Sequence, residues 1–206
     1  MRNLNAILKD HYSFFIGYLL FLLAGILLIL FFTKAEGFYF LNPYHHNYLN
    51  YFFYFFTFLG DGVFVVGLAI ILLFFKKRKL SLLIVSSYLL SGGIAQAIKY
   101  YFEEARPSVY NGLQGYQYFI ENVSLQNFHS FPSGHTASGF ALAGILAFAF
   151  KNKKVELIFL ALAIIVGYSR IYIGQHFLID VLAGSFIGIA SAIICWLALY
   201  KKLWLV

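Results

Sequence analysis

A long stretch without any charged side chain, from Tyr12 to Thr33, restricts the possible folds of this chain more than any other feature. About 20 consecutive apolar residues are enough for one helix to cross the hydrocarbon core of a bilayer. The rest of the chain has the same character, since 62% of its 206 residues are hydrophobic and only 11% are charged. A soluble domain of this size cannot bury so much apolar surface. The sequence therefore predicts an integral membrane protein, and the lack of alternating polar and apolar residues argues against a membrane β-barrel.

We predict an all-α fold: a single polytopic membrane domain over residues 1–206 with six transmembrane helices. The first apolar stretch follows two basic residues, as in a signal peptide. It is too long for the apolar part of one and lacks a convincing cleavage site, so we interpret it as an uncleaved span. The six predicted spans are Tyr12–Thr33, Asp61–Phe75, Leu80–Phe102, Pro132–Phe150, Val155–Ile173 and His176–Tyr200.

An aromatic run, Tyr51 to Phe58, comes just before the second predicted span. Aromatic side chains favour the headgroup level of a membrane because their rings are amphipathic. We therefore expect a short interfacial helix here, followed by a break at Gly60 and a new helix capped by Asp61. The alternative is one long helix that begins at Tyr48.

The basic residues predict the orientation of the chain. Six spans put both termini on one side, and eleven of the 15 Lys and Arg residues fall on that side, at positions 2, 9, 76–79, 151, 153, 154, 201 and 202. By the positive-inside rule, that side is cytoplasmic. The net charge of +7 then reflects membrane topology rather than nucleic-acid binding. Four basic residues remain on the outer side: Lys34, Lys99, Arg106 and Arg170.

Two stretches carry candidate chemistry. In the stretch from Ser169 to Asp180, His176 and Asp180 are four residues apart and would share one face of a helix, so that the carboxylate could hold one imidazole nitrogen. A buried polar cluster is the alternative. In the stretch around Pro132, we expect the proline in the first helical turn, with the backbone N–H groups of Ser133 and Gly134 available to an anion. An ordinary capped helix start is the alternative there.

The polar groups of four predicted helices reach a similar depth. At about 1.5 Å per residue, Lys99 and Asp180 each lie roughly 30 Å from the nearest cytoplasmic lysines. His135 and Arg170 lie about 24 Å from theirs. Ionisable groups at such positions are costly and usually functional. Three cations around two histidines predict a pocket for a multiply charged anion, because arginine matches phosphate oxygens and lysine adds a point charge.

Three motifs in the same region resemble the signatures of the type-2 phosphatidic acid phosphatase/haloperoxidase superfamily. The first is Lys99, six residues, then Arg106-Pro107, and the second is Pro132-Ser133-Gly134-His135. The third is Ser169-Arg170, five residues, His176, three residues, Asp180. They occur in order and with the family spacing. The six-span layout is similar to the membrane phosphatase branch of this superfamily.

The resemblance implies a role for each motif residue. His176 would be the nucleophile that forms a phosphohistidine, and Asp180 would orient it. His135 would be the general acid and then the general base. The phosphoryl oxygens would be held by Lys99, Arg106, Ser133, Gly134 and Arg170. No metal and no other cofactor is expected, because cationic side chains fill that role.

The function expected is therefore hydrolysis of a lipid phosphate at the outer leaflet of a bacterial inner membrane. Undecaprenyl diphosphate is the best guess by analogy alone. The alternatives are phosphatidylglycerol phosphate, phosphatidic acid or lipid A phosphates, or a lipid phosphotransferase. An anion or lipid transporter is a remote alternative, because no second half of the chain mirrors the first. The oligomeric state and the roles of Glu103, Glu104 and His129 stay open, although a structural role is favoured for His129. The role of the aromatic outer loop also stays open: either its rings anchor it at the membrane interface or they line the mouth of the pocket (Tyr110, Tyr116, Tyr118 and Phe119).

Overall fold

The computed structural model describes residues 3–120, 126–150 and 152–204. Two basic residues used for the topology prediction, Arg2 and Lys151, lie outside these ranges, and the side chains of Lys201 and Lys202 are likewise not described. The α-helices of the described part are α1 (Leu4–Asp10), α2 (Tyr12–Phe31), α3 (Lys34–Leu41), α4 (Asn47–Phe56), α5 (Gly62–Phe74), α6 (Arg78–Tyr101), α7 (Gly134–Ala149), α8 (Lys153–Tyr172) and α9 (Leu178–Trp204). The all-α fold is confirmed.

Four of these helices, α2, α6, α8 and α9, are long and apolar enough to cross a membrane. The bent pair α4 and α5 passes the same test as a fifth span. Helix α7 has 16 residues, or about 24 Å at 1.5 Å per residue, and is shorter than a typical span. The predicted count of six therefore stays a prediction.

Helix α7 forms the centre of the bundle. Nearly every residue from Thr136 to Phe148 is buried, because α6, α8 and α9 surround the helix. Its sequence suits this position, since it is rich in alanine and glycine and lets neighbouring helices approach closely. In contrast, α2 leaves large apolar side chains exposed, among them Leu20 and Leu30. That exposure is expected of a helix that faces lipid.

A close crossing between α7 and α9 sets the geometry of the outer end. A side chain on Gly184 of α9 would place its Cβ 2.5 Å from the carbonyl oxygen of Ser133, so only glycine fits there. One turn earlier, the carbonyl of Asp180 accepts a hydrogen bond from the N–H of Ser133 at 2.9 Å. The start of α7 and the start of α9 are thereby joined through their backbones.

The break expected near Gly60 is present. A 3-10 helix, Thr57–Gly60, follows α4, and the chain bends by 57° before α5 begins. Asp61 caps α5, as expected, by accepting a hydrogen bond from the N–H of Val63 at 2.8 Å. The single long helix from Tyr48 is therefore excluded.

An outer layer of aromatic residues covers the ends of α8 and α9. Phe38 of α3 packs edge-on against Phe177 and Tyr116, with ring centroids 5.7 and 5.0 Å apart. Tyr110 contacts the same Phe177 ring at 5.2 Å. Part of the aromatic outer loop thus forms a small buried core above the bundle, which the sequence did not indicate.

Candidate active site

The predicted pair of His176 and Asp180 meets, but not on one helix face. Helix α9 begins at Leu178, so His176 lies in the preceding turn, and the expectation that both residues sit on the same helix was wrong. The turn forms because the N–H of His176 donates back to the carbonyl of Arg170 at 3.1 Å. The imidazole Nδ1 then lies 3.4 Å from Oδ2 of Asp180, with both side chains buried. Since Nδ1 faces the carboxylate, Nε2 is the nitrogen left for a ligand.

Asp180 is itself held in place by two hydrogen-bond donors. Its Oδ2 accepts from the hydroxyl of Ser130 at 2.5 Å and from the N–H of Phe177 at 2.9 Å. The carboxylate is fully buried. A buried carboxylate is stable when it is bonded in this way, and here the bonds also fix its orientation towards the imidazole.

The surroundings of His176 keep its imidazole neutral. Burial lowers the pKa of His176 from 6.5 to about 3, and although Asp180 opposes the shift, Arg170 and Arg106 add to it. A neutral imidazole has a lone pair on one nitrogen, which is the state required of a nucleophile.

The start of α7 differs from the sequence prediction in two details. Pro132 precedes the cap residue instead of occupying the first turn, and its peptide bond with Phe131 is cis. Ser133 is the cap, and its N–H is already bonded to Asp180, so this backbone donor is not free. The Ser133 side-chain oxygen accepts from the hydroxyl of Thr136 at 2.8 Å, which leaves the Ser133 hydroxyl proton for another acceptor. Gly134 has open space on its Cβ side.

Arg106 and Lys99 meet at the backbone of the loop that leads to α7. Lys99 Nζ donates to the carbonyl of His129 at 2.5 Å, and Arg106 Nη2 approaches the same oxygen at 3.5 Å. Arg106 also donates through Nε to the carbonyl of Phe128 and through Nη1 to Oε1 of Gln175, at 3.0 and 2.7 Å. Gln175 is the neighbour of His176, so these bonds bring the first motif beside the third.

Arg170 completes the cationic cluster. Its Nη1 donates to Thr57 Oγ1 at 2.9 Å, and its Nε has no hydrogen-bond partner among the described residues although it is buried. An unpaired guanidinium nitrogen in a buried place is costly unless a ligand accepts its proton. Arg170 is therefore prepared to bind an anion.

A cavity of about 380 Å³ lies between α6 and the start of α7 and includes one member of the cationic cluster, Lys99. Its polar end contains Lys99, Gly134 and His135, and its other end runs along α6 past Gly92 and Gly93. A Cβ on either of these two glycines would meet nothing within 4 Å. The contacts above and this cavity bring all eight predicted residues to the same end of the bundle.

Four residues of this region were not assigned a site role from the sequence. Ser130 and Gln175 hold Asp180 and Arg106, while Thr57 and Asp61 contact Arg170 and His135. Ser130 lies two residues before Pro132 of the second motif, so its closeness in sequence to that motif could have indicated a role in the site. Thr57 and Asp61 are more than 70 residues from their partners in sequence, and no local pattern relates them.

Two open questions from the sequence are answered by contacts. His129 has a structural role, since its carbonyl holds Lys99 and its Nδ1 lies 3.0 Å from the carbonyl of Lys99. Glu104 pairs with Lys34 at 3.1 Å and ties α3 to the outer loop.

Known proteins are similar to this chain in sequence and in fold. The chain is 30% identical over 155 residues to phosphatidylglycerophosphatase B of Bacillus subtilis, covering 69% of this chain and 71% of that protein. It is 28% identical over 120 residues to an undecaprenyl-diphosphatase of Sulfolobus acidocaldarius, covering 58% and 55% of the two chains. Across three curated relatives, the chain spans 34% to 71% of the relative's own length.

The fold and a family model agree with these matches. The crystal structure of a PAP2-type phosphatidylglycerolphosphate phosphatase from Bacillus subtilis superposes with a TM-score of 0.66 at 25% identity, over 94% of this chain and 97% of that one. The model of the PAP2 superfamily matches residues 80–204, which include all three motifs. The chain therefore belongs to the PAP2 superfamily.

Proposed function

We propose that this chain is a metal-independent hydrolase that removes phosphate from a lipid phosphate ester or anhydride at the outer leaflet. The observation that carries the proposal is the buried His176, whose Nδ1 lies 3.4 Å from Asp180 and whose imidazole is close to the guanidinium groups of Arg170 and Arg106. A nucleophile held by Asp180 and facing an anion pocket suits attack on phosphorus.

In the first step, Nε2 of His176 attacks phosphorus in line with the leaving oxygen. A P–N bond forms, the P–O bond to the leaving oxygen of the lipid alcohol or lipid monophosphate breaks, and His135 gives a proton to that oxygen. Asp180 stabilises the positive charge that develops on the imidazole. The products of this step are a phosphohistidine and a lipid alcohol, or a lipid monophosphate when the substrate is a diphosphate.

In the second step, water replaces the histidine. His135, now neutral, takes a proton from the water as its oxygen attacks phosphorus, and the P–N bond breaks to release inorganic phosphate. His176 returns to its neutral form and His135 to its protonated form. A lipid acceptor in place of water would make the same site a phosphotransferase.

The phosphoryl oxygens are held by the cationic cluster and the start of α7. Arg170, Arg106 and Lys99 supply charge, while the hydroxyl of Ser133 and the N–H of Gly134 supply donors at a helix N-terminus. Such fixed donors are most effective where negative charge increases in the transition state. These side chains supply the positive charge that a metal ion provides in other phosphatases.

The shape of the cavity supports a lipid substrate. A phosphate at Lys99 and His135 would continue into a space bounded by small and apolar residues, including Gly92, Gly93 and Leu89. Leu89 is 63% exposed on the outside of the bundle. A lipid could therefore keep its chain in hydrocarbon while its headgroup reaches the cations, which a soluble phosphate has no need to do.

Within this class we propose undecaprenyl diphosphate as the substrate, supported by the relative named undecaprenyl-diphosphatase. Phosphatidylglycerol phosphate is an alternative supported by the relative and the solved structure that carry its name. Phosphatidic acid and lipid A phosphates are further alternatives. We also propose a bacterial inner-membrane location with both termini cytoplasmic and the site outside, on the charge distribution alone.

The decisive experiment measures phosphate release by the purified protein from all four lipids, with and without a chelator. We expect one lipid to be preferred, chelation to have no effect, and His176→Ala to abolish release from every lipid. His46→Asn is the matched control, because His46 is exposed and asparagine can still cap α4. Normal turnover by His176→Ala would refute the proposed mechanism, and loss of activity on chelation would refute metal independence.

A further inference from the structure

The break between α4 and α5 contacts two groups of the candidate site. Oδ2 of Asp61 lies 3.3 Å from Nε2 of His135, and Thr57 Oγ1 accepts the hydrogen bond from Arg170. Neither Asp61 nor Thr57 belongs to the three motifs. The 3-10 turn and its cap residue therefore form a fourth element of the site.

The backbone of this turn is fixed against α7. A Cβ on Gly60 would lie 2.5 Å from the carbonyl oxygen of His135 and 2.6 Å from a methyl group of Val166, so only glycine allows this approach. The Asp61 carboxylate is fixed as well, because Oδ1 accepts from the N–H of Val63 while Oδ2 faces the imidazole. The close packing of Gly60 against α7 and the hydrogen bond from Val63 together fix the position of Asp61 beside His135.

The charges around His135 are unbalanced without this carboxylate. Lys99 lines the same cavity, and the guanidinium groups of Arg106 and Arg170 both repel a charge on the imidazole. Asp61 is the acidic group in contact with it. A general acid must carry its proton when the substrate arrives, and an opposite charge within about 4 Å stabilises that form.

We propose that Asp61 is the positioning residue for His135. Its carboxylate holds the Nε2–H side of the imidazole, directs Nδ1 to the leaving oxygen and reduces the effect of the repulsion from Arg106 and Arg170. When the P–O bond breaks, the Nδ1 proton goes to the leaving oxygen, and Asp61 keeps its charge throughout. This role rests on the proposed phosphatase function, in which His135 is the acid.

The test compares Asp61→Asn with the wild-type protein on two probes. Dioctanoyl phosphatidic acid has an alcohol leaving group of high pKa that needs a proton, whereas p-nitrophenyl phosphate has one of low pKa that does not. We expect the lipid kcat to fall about tenfold or more and the aryl ester kcat to fall less than about threefold. The alkaline limb of the lipid pH–rate profile should move to lower pH, because the protonated imidazole loses its counter-charge.

Two controls separate positioning from folding. Asparagine is as good a helix cap as aspartate, so Asp61→Asn should keep α5 intact, and thermal unfolding checks this. In a His135→Ala background, Asp61→Asn should have no further effect on the lipid. Equal losses on both probes, or an undiminished loss in the His135→Ala background, would overturn the proposal.

The experiments distinguish failure of the proposed role of Asp61 from failure of the proposed phosphatase function. A wild-type protein that releases no phosphate from any lipid, or a His176→Ala variant with normal turnover, would refute the phosphatase and with it the role of Asp61. An active wild type with an Asp61→Asn variant that matches it on both probes would refute the role of Asp61 alone.

Discussion

The hydroxyl of Ser130 donates a hydrogen bond of 2.5 Å to Oδ2 of Asp180, the same oxygen that lies 3.4 Å from Nδ1 of His176. All three side chains are buried. The orientation of the proposed nucleophile therefore depends on a serine that precedes α7, in addition to the aspartate of α9.

Removal of this hydroxyl should slow the reaction without unfolding the protein. Hydrogen bonds to charged groups contribute about 1.5–3 kcal/mol, so we expect Ser130→Ala to lower kcat about tenfold on any active substrate. KM should change little, because Ser130 is bonded to Asp180 and not to the cationic cluster. Steady-state kinetics measure both values, and a rise in KM at constant kcat would contradict this role.

The buried His176 predicts a pH dependence of stability. Its pKa is about 3 in the folded protein and near 6.5 when exposed, so the unfolded chain binds a proton more readily between these values. Stability contributed by the neutral imidazole is present above pH 6.5 and is lost as the pH falls towards 3. His176→Asn removes this titration. The apparent unfolding temperature in detergent should therefore fall less for His176→Asn than for the wild type between pH 7.5 and 5, and an equal fall would contradict the shift.

The proposed acid predicts a dependence on the leaving group. His135→Ala should slow release from dioctanoyl phosphatidic acid by about 100-fold or more, because an alkoxide cannot leave without a proton. The release of phosphate from p-nitrophenyl phosphate or from a lipid diphosphate should fall much less. The leaving groups of these reactions, p-nitrophenol and a lipid monophosphate, have a low pKa and can leave without a proton. Single-turnover rates make the comparison, and parallel losses on all three would count against the acid role.

The cavity along α6 predicts a substrate-selective block. Gly93→Leu should lower kcat/KM for dioctanoyl phosphatidic acid about tenfold while leaving p-nitrophenyl phosphate nearly unchanged, because the new side chain fills space that the lipid chain needs. Gly67→Leu is the matched control, since a Cβ at Gly67 also meets nothing within 4 Å but lies outside the cavity. An equal effect on both substrates would show that Gly93 does not border the path of the lipid.

Much of the fold could be predicted because each membrane span needs a continuous apolar stretch, which can be recognised in the local sequence. Apolar stretches and basic clusters gave the approximate positions of α2, α6, α7, α8 and α9, with boundaries a few residues off. Helix α3 and the buried core around Tyr116 were not predicted. Their residues are polar or aromatic in a way that also suits an exposed loop, and their packing partners lie on segments distant in sequence, among them Ile171, Phe177 and Val181.

The long apolar stretches by themselves determined that this is a helical membrane protein, because a backbone in hydrocarbon must satisfy its own hydrogen bonds, and the three motifs placed the ionisable residues near one end. The same motifs identified the eight candidate residues. Only the tertiary structure showed that Asp61 and Thr57 contact His135 and Arg170, and that His176 meets Asp180 from a turn rather than from a helix face. These relationships depend on how α5, α7, α8 and α9 cross, and helix crossing is decided by packing between segments that are distant in sequence.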